Sequence, residues 1–190
     1  MVVAKYISVL LHPFICGTLA FLLILSKSYV TFPQYLFIIL IAIAAIVVFP
    51  AIHVMTMKRK GQTVSLDIPE RKKRISPFIF SIFIYIIALF LLWVVSAPRA
   101  VLVLMWAYAF NTIVATLITQ SWKISIHGMA LGGPIAALGQ AVAPVYYWGL
   151  IFVIPITYSR VRLKAHTPEQ VVAGFALGFI LTIIHFKLLG

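Results

Sequence analysis

Long apolar runs alternate with short polar stretches along nearly the whole chain, and each run predicts a helix across a membrane. Residues 6–25 and 34–55 form the first two, each close to the roughly 20 residues that a helix needs to cross the hydrocarbon core. A polar stretch over 58–76 is the only long loop, and residues 77–96 and 100–119 predict a third and fourth span joined through Ala97-Pro98-Arg99. From His127 through Tyr158 run 32 residues, too many for one span and few for two. Ala143-Pro144 divides them, so two short, tilted or partly immersed helices are expected over 128–142 and 145–157. Residues 167–186 form the last span. Thr167-Pro168-Glu169 starts it with an N-cap hydroxyl, a proline at the first helical position and an acid in the first turn.

The expected fold is therefore all-α: one integral-membrane domain over residues 1–190, a polytopic transmembrane helical bundle of about six to seven membrane segments. The segment count stays open around Gly132-Gly133-Pro134. Composition agrees, with 64% hydrophobic and 9% charged residues and a mean hydropathy of +1.14; a soluble domain of this length has no interior for so much apolar surface. The first run carries one preceding lysine, Lys5, and no clear small-x-small cleavage site, so it reads as a retained span and not a removed signal peptide. The lone Cys16 leaves no disulfide framework.

Parity places the loops after the second, fourth and sixth segments on one side of the membrane. These loops carry Asp67 to Arg74, Lys123 to His127, and Ser159 to His166. Basic residues orient that side: twelve of the fifteen, from Lys5 through Lys164, fall on it, against Lys27, Arg99 and Lys187 opposite. The positive-inside rule makes it cytoplasmic, in a bacterial-type cytoplasmic membrane. A net charge of +12 in short loops without interleaved aromatics points to anionic lipid headgroups as partners and away from nucleic acid. Oligomeric state is not legible.

Four of these polar residues have the chemistry of phosphoryl transfer through histidine. A neutral imidazole attacks phosphorus, cations hold the equatorial oxygens, an acid protonates the leaving oxygen, and a further group orients the nucleophile. His166 and Gln170 lie four apart at the start of a helix and so share a face, while Arg160 and His127 stand at neighbouring helix mouths. The helix start at Thr167 adds unpaired N–H groups beside any phosphate bound there. Each of these residues also has a plainer reading, as an interface anchor or part of a topology signal. His12, His53 and His185 read as interface residues only.

Ser159-Arg160-x5-His166-x3-Gln170, with Ala173-Gly174 beyond, resembles the last signature of the type 2 phosphatidic acid phosphatases, the lipid phosphate phosphatases, which is Ser-Arg-x5-His-x3-Asp. Ile124-Ser125-Ile126-His127 is similar to the middle signature, Pro-Ser-Gly-His. Asp67-x6-Arg74 keeps the spacing and arginine of the first, Lys-x6-Arg-Pro, with Asp67 in the lysine position and proline later, at Pro77. The resemblance implies that His166 is the nucleophile forming a phosphohistidine and His127 the acid for the leaving alcohol. Arg160, Ser125 and Arg74 would grip the phosphate, with Lys123 either a further phosphate ligand or an anchor. It implies no metal and no cofactor. Gln170 stands where that family has the aspartate that orients the nucleophile, so Asp67 is a candidate substitute from the long loop.

The expected activity is hydrolysis of a lipid phosphate or diphosphate by a membrane-embedded, metal-independent phosphatase. Gln170 and the missing lysine motivate the alternative, a catalytically weakened relative that binds or translocates an anionic lipid. A polar stripe of Tyr108, Asn111, Thr112, Thr116 and Thr119 on the fourth span predicts interhelical hydrogen bonding or a wet cavity. Gly132, Gly133 and Gly139 predict close helix packing.

Overall fold

The computed structural model describes residues 1–65 and 67–190, and they form an all-helical bundle. Five helical stretches are long and apolar enough to cross a membrane: Val2–Leu25, Phe32–Arg59, Lys72–Val94, Arg99–Thr119 and Pro168–Leu189. That is fewer than the six to seven segments expected. The difference lies in residues 126–162, where the helices are shorter than a full span.

The first stretch is broken. Helix α1 (Val2–Leu10) ends at Leu11, His12 is extended with ψ of 141°, and α2 (Pro13–Leu25) restarts with proline at its first position and the His12 ring accepting the Phe14 N–H. Proline cannot donate to the preceding turn, so the break falls where the sequence reads His-Pro. The second stretch is α3 (Phe32–Ile43), a π-helical turn (Ala44–Val48) and α4 (Phe49–Arg59). Pro50 has no N–H, and the wider turn just before it absorbs the missing bond within an otherwise continuous helix. Helix α5 (Ile75–Val94) follows a short 3-10 turn over Lys72–Arg74, and α6 (Arg99–Thr119) is the most enclosed of the long helices.

Helix α5 shows how sequence divides lipid from protein. Ser81, Tyr85, Ala88 and Leu92 recur at helical spacing and are buried, while Phe83, Ile86, Ile87 and Phe90 form the opposite, exposed stripe. Such a stripe would aggregate in water, and in a bilayer it faces acyl chains.

Helix α7 (Ile126–Ala141) has 16 residues and is buried over nearly its whole length. A 3-10 segment (Pro144–Phe152) and α8 (Val153–Arg162) run back along it, in place of the single short helix expected over 145–157. Lys164, with φ of 53°, turns the chain into α9 (Pro168–Leu189).

Hydrogen bonds identify the two ends of the bundle. At one end Gln34 Nε2 donates to the carbonyls of Val95 and Ser96 at 2.9 and 3.0 Å, and Arg99 Nε donates to that of Leu189 at 2.6 Å. At the other end Arg71 donates to the Thr119 carbonyl at 2.8 Å and Lys123 to the Ala165 carbonyl at 2.8 Å. The long helices alternate between these ends, and the polar loops carrying Asp67 to Arg74, Lys123 to His127 and Ser159 to His166 lie at the second.

The tightest packing joins α7 to α9. A Cβ at Gly128 or Gly132 would strike the Val171 or Phe175 carbonyl, and one at Gly174 or Gly178 would strike the Ser125 or Met129 carbonyl. Two Gly-x3-Gly pairs thus let the backbones touch, with dispersion and close polar contact replacing the hydrophobic effect that lipid does not supply. Neighbouring Gly133 is different: its nearest neighbour is Thr182 Oγ1 at 3.4 Å, ordinary contact distance. We therefore expect Gly132→Ala to destabilise the detergent-solubilised protein by about 1–3 kcal/mol through overpacking. Gly133→Ala, which strikes no backbone across the interface and only the ring of the following Pro134 within its own helix, should cost less, about 1 kcal/mol or under. Thermal or denaturant unfolding of the two variants side by side checks the contrast.

Candidate functional site

His166 sits in the turn between α8 and α9, and α9's own start fixes its ring. Thr167 Oγ1 accepts the Gln170 N–H at 3.4 Å, while Gln170 Oε1 accepts the Thr167 N–H at 3.3 Å, a reciprocal capping box. The Thr167 N–H is a donor, so the amide must turn its oxygen, not its nitrogen, to this position. The same Oε1 lies 3.0 Å from His166 Nδ1. An acceptor at Nδ1 places the proton there and leaves a lone pair on Nε2. Arg74 Nη1 meets that Nε2 at 3.3 Å, and an arginine can only donate. Both contacts select one tautomer.

Arg74 is buried and held from several sides. Its Nε donates to the Ile68 carbonyl at 2.7 Å and its Nη1 also to that of Ile124 at 3.5 Å, and Asp67 Oδ1 lies 4.0 Å from its Nη2. Arg160, only 2% exposed, donates from Nη1 to Ser8 Oγ at 2.9 Å and from Nη2 to Asp67 Oδ2. Its Nε finds no partner among the described residues. Asp67 thus bridges two guanidiniums. Burial alone would raise its pKa, but Arg160 first, then His127 and Arg74, hold it below the usual carboxylate value. Burial, with Arg74 beside it, pushes His166 down to about 4, so its ring is neutral near pH 7. Burial and Arg74 also lower the Lys123 pKa.

A cavity of about 290 Å³ opens against this cluster, lined at its polar end by His12, Asp67, Arg74, His127 and His166. His127, on the first turn of α7, is buried, and its Nε2 has no hydrogen-bond partner among the described residues. Apolar residues of α4, α5 and α7 make the walls. Tyr108, Asn111, Thr112 and Thr182 line the inner part. Asn111 Nδ2 donates to Thr182 Oγ1 across helices at 3.1 Å, whereas Thr112 and Thr116 hydroxyls return to the carbonyls of Tyr108 and Thr112 in their own helix. The stripe on α6 therefore serves both helix association and a cavity wall.

Several candidates occupy places other than those expected. Ser125 is fully buried and does not line the cavity; its Oγ caps α7 by accepting the Gly128 N–H at 3.3 Å, and its N–H donates to the Gln170 carbonyl at 3.1 Å. Asp67 does not orient His166, because the arginines hold its carboxylate. Arg160 and Lys123 stand behind the cavity lining, the latter on the Ala165 carbonyl. His12, read as an interface residue, lines the cavity with its ring centroid 5.3 Å from that of His127. Its signal was the His-Pro pair that starts a helix. His185, near the end of α9, is buried against Phe110 and Trp106. His53 bonds Ser76 Oγ at 3.2 Å and stacks on Phe80, away from the site. Among the described residues no group of three His, Cys, Asp or Glu side chains has the arrangement of a metal site.

No protein-family model, curated protein or solved structure matches the chain.

The tautomer and titration of His166 are open to direct observation. In ¹⁵N-labelled protein its ring should remain neutral with the proton on Nδ1 as pH falls through 6.5, protonating only near pH 4. Arg74→Ala should raise that midpoint while burial keeps it below the ordinary value. A midpoint near 6.5 in the unmodified chain would contradict this geometry. The sign for stability follows: the unfolded chain takes up the His166 proton first, so this contribution declines as pH drops below about 6.5 and is lost by about 4.

Proposed function

We propose that the protein is a membrane-embedded phosphatase that hydrolyses a lipid phosphate through a phosphohistidine, as the resemblance to the type 2 phosphatidic acid phosphatases implies. The observation that carries this reading is His166 itself. Its Nδ1 is held by Gln170 and its Nε2 lone pair is directed at Arg74, beside a cavity shared with His127.

In this reading Nε2 attacks phosphorus as the P–O bond to the lipid alcohol breaks. Arg74 moves its donors from the imidazole to the phosphoryl oxygens, and a protonated His127 gives its proton to the leaving oxygen. An arriving phosphate dianion brings negative charge beside His127 and favours that protonation. Water then attacks the phosphohistidine, His127 recovers a proton, and inorganic phosphate departs. Arg160 and Lys123 contribute charge from behind the lining. The apolar cavity takes the proximal part of a hydrocarbon tail, so the headgroup reacts at the membrane interface. Residues 126–162 complete the crossings as a short antiparallel pair, and the site faces the cytoplasm as the basic loops require.

Gln170 need not abolish this chemistry. In a serine protease, replacing the orienting carboxylate by an amide lost about 10⁴-fold because the imidazole took the wrong tautomer. Here the capping box turns the amide oxygen to Nδ1, and the productive tautomer is kept. Only the missing negative charge separates Gln170 from a carboxylate.

The test is phosphate release from a panel of lipid phosphates in mixed micelles with chelator present. Wild type should release phosphate and form an acid-labile, base-stable phosphoprotein, and His166→Ala should lose both, with at least about a 10³-fold fall in rate. Gln170→Glu, which preserves the capping box, should raise the rate about tenfold through the added charge on Nδ1–H. Equal release by wild type and His166→Ala would sink the reading. Tight lipid-phosphate binding without turnover, unchanged in Gln170→Glu, would favour a protein that binds or moves an anionic lipid.

A further inference from the structure

Three cations and one carboxylate cluster at or just behind the cavity beside His166. Arg74 lines the cavity, Arg160 and Lys123 lie just behind it, and Asp67 is the single acid among them. Their formal sum is +2 (three positive, one negative), which complements a phosphomonoester dianion.

The placement of the acid matters more than the sum. Asp67 lines the same cavity as His127, the group assigned above to the leaving oxygen, and lies within electrostatic reach of both His127 and His12. A diphosphate attacked at its terminal phosphorus must put its second phosphoryl group on that leaving side. There it would meet His127, whose single proton goes to the leaving oxygen, the Asp67 carboxylate, and then apolar residues of α4 and α7 such as Pro50, Val54 and Met129. Arg74 is the only lysine or arginine among the cavity's lining residues, and it serves the terminal phosphoryl. Like charge in a partly dehydrated site is strongly repelled. Arg160 cannot compensate, because Asp67 already holds its guanidinium.

We propose that Asp67 is a specificity-determining residue that restricts the site to phosphate monoesters and excludes diphosphates. The inference rests on the phosphatase reading above, and it names the substrate class within it. Asp67 also fixes Arg160 in place, so a simple loss of activity on mutation would not separate selectivity from support. The discriminating quantity is a ratio.

The experiment compares inorganic phosphate with pyrophosphate as ligands of the detergent-solubilised full chain, by calorimetry and by protection of His166 from diethyl pyrocarbonate. Wild type should bind phosphate more tightly than pyrophosphate. Asp67→Asn should shift the affinity ratio toward pyrophosphate by about tenfold or more, and Asp67→Glu, which restores the charge, should return it toward wild type. In turnover, Asp67→Asn should move the ratio of kcat/KM for a prenyl monophosphate over its diphosphate in the same direction.

Tighter pyrophosphate binding by wild type would overturn the proposal even if no variant folds, while leaving the phosphatase reading intact. An Asp67→Asn protein that changes both affinities equally would also overturn it and assign Asp67 to support of Arg160. Failure of wild type to bind either anion would overturn the phosphate site itself, and the proposal with it.

Discussion

The contact of α7 with α9 is the constraint on which the rest of the site depends. Glycines on both helices remove the side chains that would otherwise hold the axes apart, and carbonyls of one helix fill the space beside the Cα atoms of the other. The consequence extends to the helix mouths. The Ser125 N–H reaches the Gln170 carbonyl, so the cap of one helix is bonded to the first turn of the other. His127 follows one cap and His166 precedes the other. Their shared cavity is thus a product of backbone packing and not of their own interaction.

Charge imposes the second constraint. Two buried guanidiniums are costly in a bundle set in lipid, and the acceptors that converge on them offset part of that cost. Arg74 is met by two backbone carbonyls, a carboxylate and an imidazole, Arg160 by a serine hydroxyl and the same carboxylate. Ser8 comes from α1, and Ser159 of α8 donates to the Ala4 carbonyl in the same helix. The first nine helical residues are therefore bound to the polar cluster, which explains why the chain must break at His12 before descending as α2. One acid serving two arginines also makes Asp67 the residue through which their fields are balanced.

Much of the bundle was legible because hydrophobic length is a strong signal in a membrane: the five long helices fall close to the runs read from the pattern. The breaks were less so. A π turn before Pro50 and a 3-10 segment after Pro144 keep the same apolar composition as the helices around them, so hydropathy alone does not distinguish them. Candidate site residues were nominated by type and spacing, and spacing locates them on helix mouths. It does not say which way a side chain turns. Ser125 turns inward to cap its helix, Asp67 toward arginine and not histidine, and His12 into the cavity. The Gly-x3-Gly pairs at 128–132 and 174–178 are written in the sequence, but only the close approach of the two backbones separates Gly132 from its neighbour Gly133.

Gln170 brings these strands together. Beside an imidazole an isolated amide is an ambiguous partner, since it can present either oxygen or nitrogen. Its position at the third residue of α9 removes that ambiguity. The Thr167 N–H is left unpaired by helix geometry, and it is satisfied only by the amide oxygen. That oxygen has a second lone pair, and His166 Nδ1 lies within reach of it. The helix start thus dictates the histidine tautomer through a residue that carries no charge. Keeping Gln170 neutral also leaves Asp67, among the described residues, as the only carboxylate beside the two arginines, so the orientation of the histidine and the charge of the cluster are set by different residues.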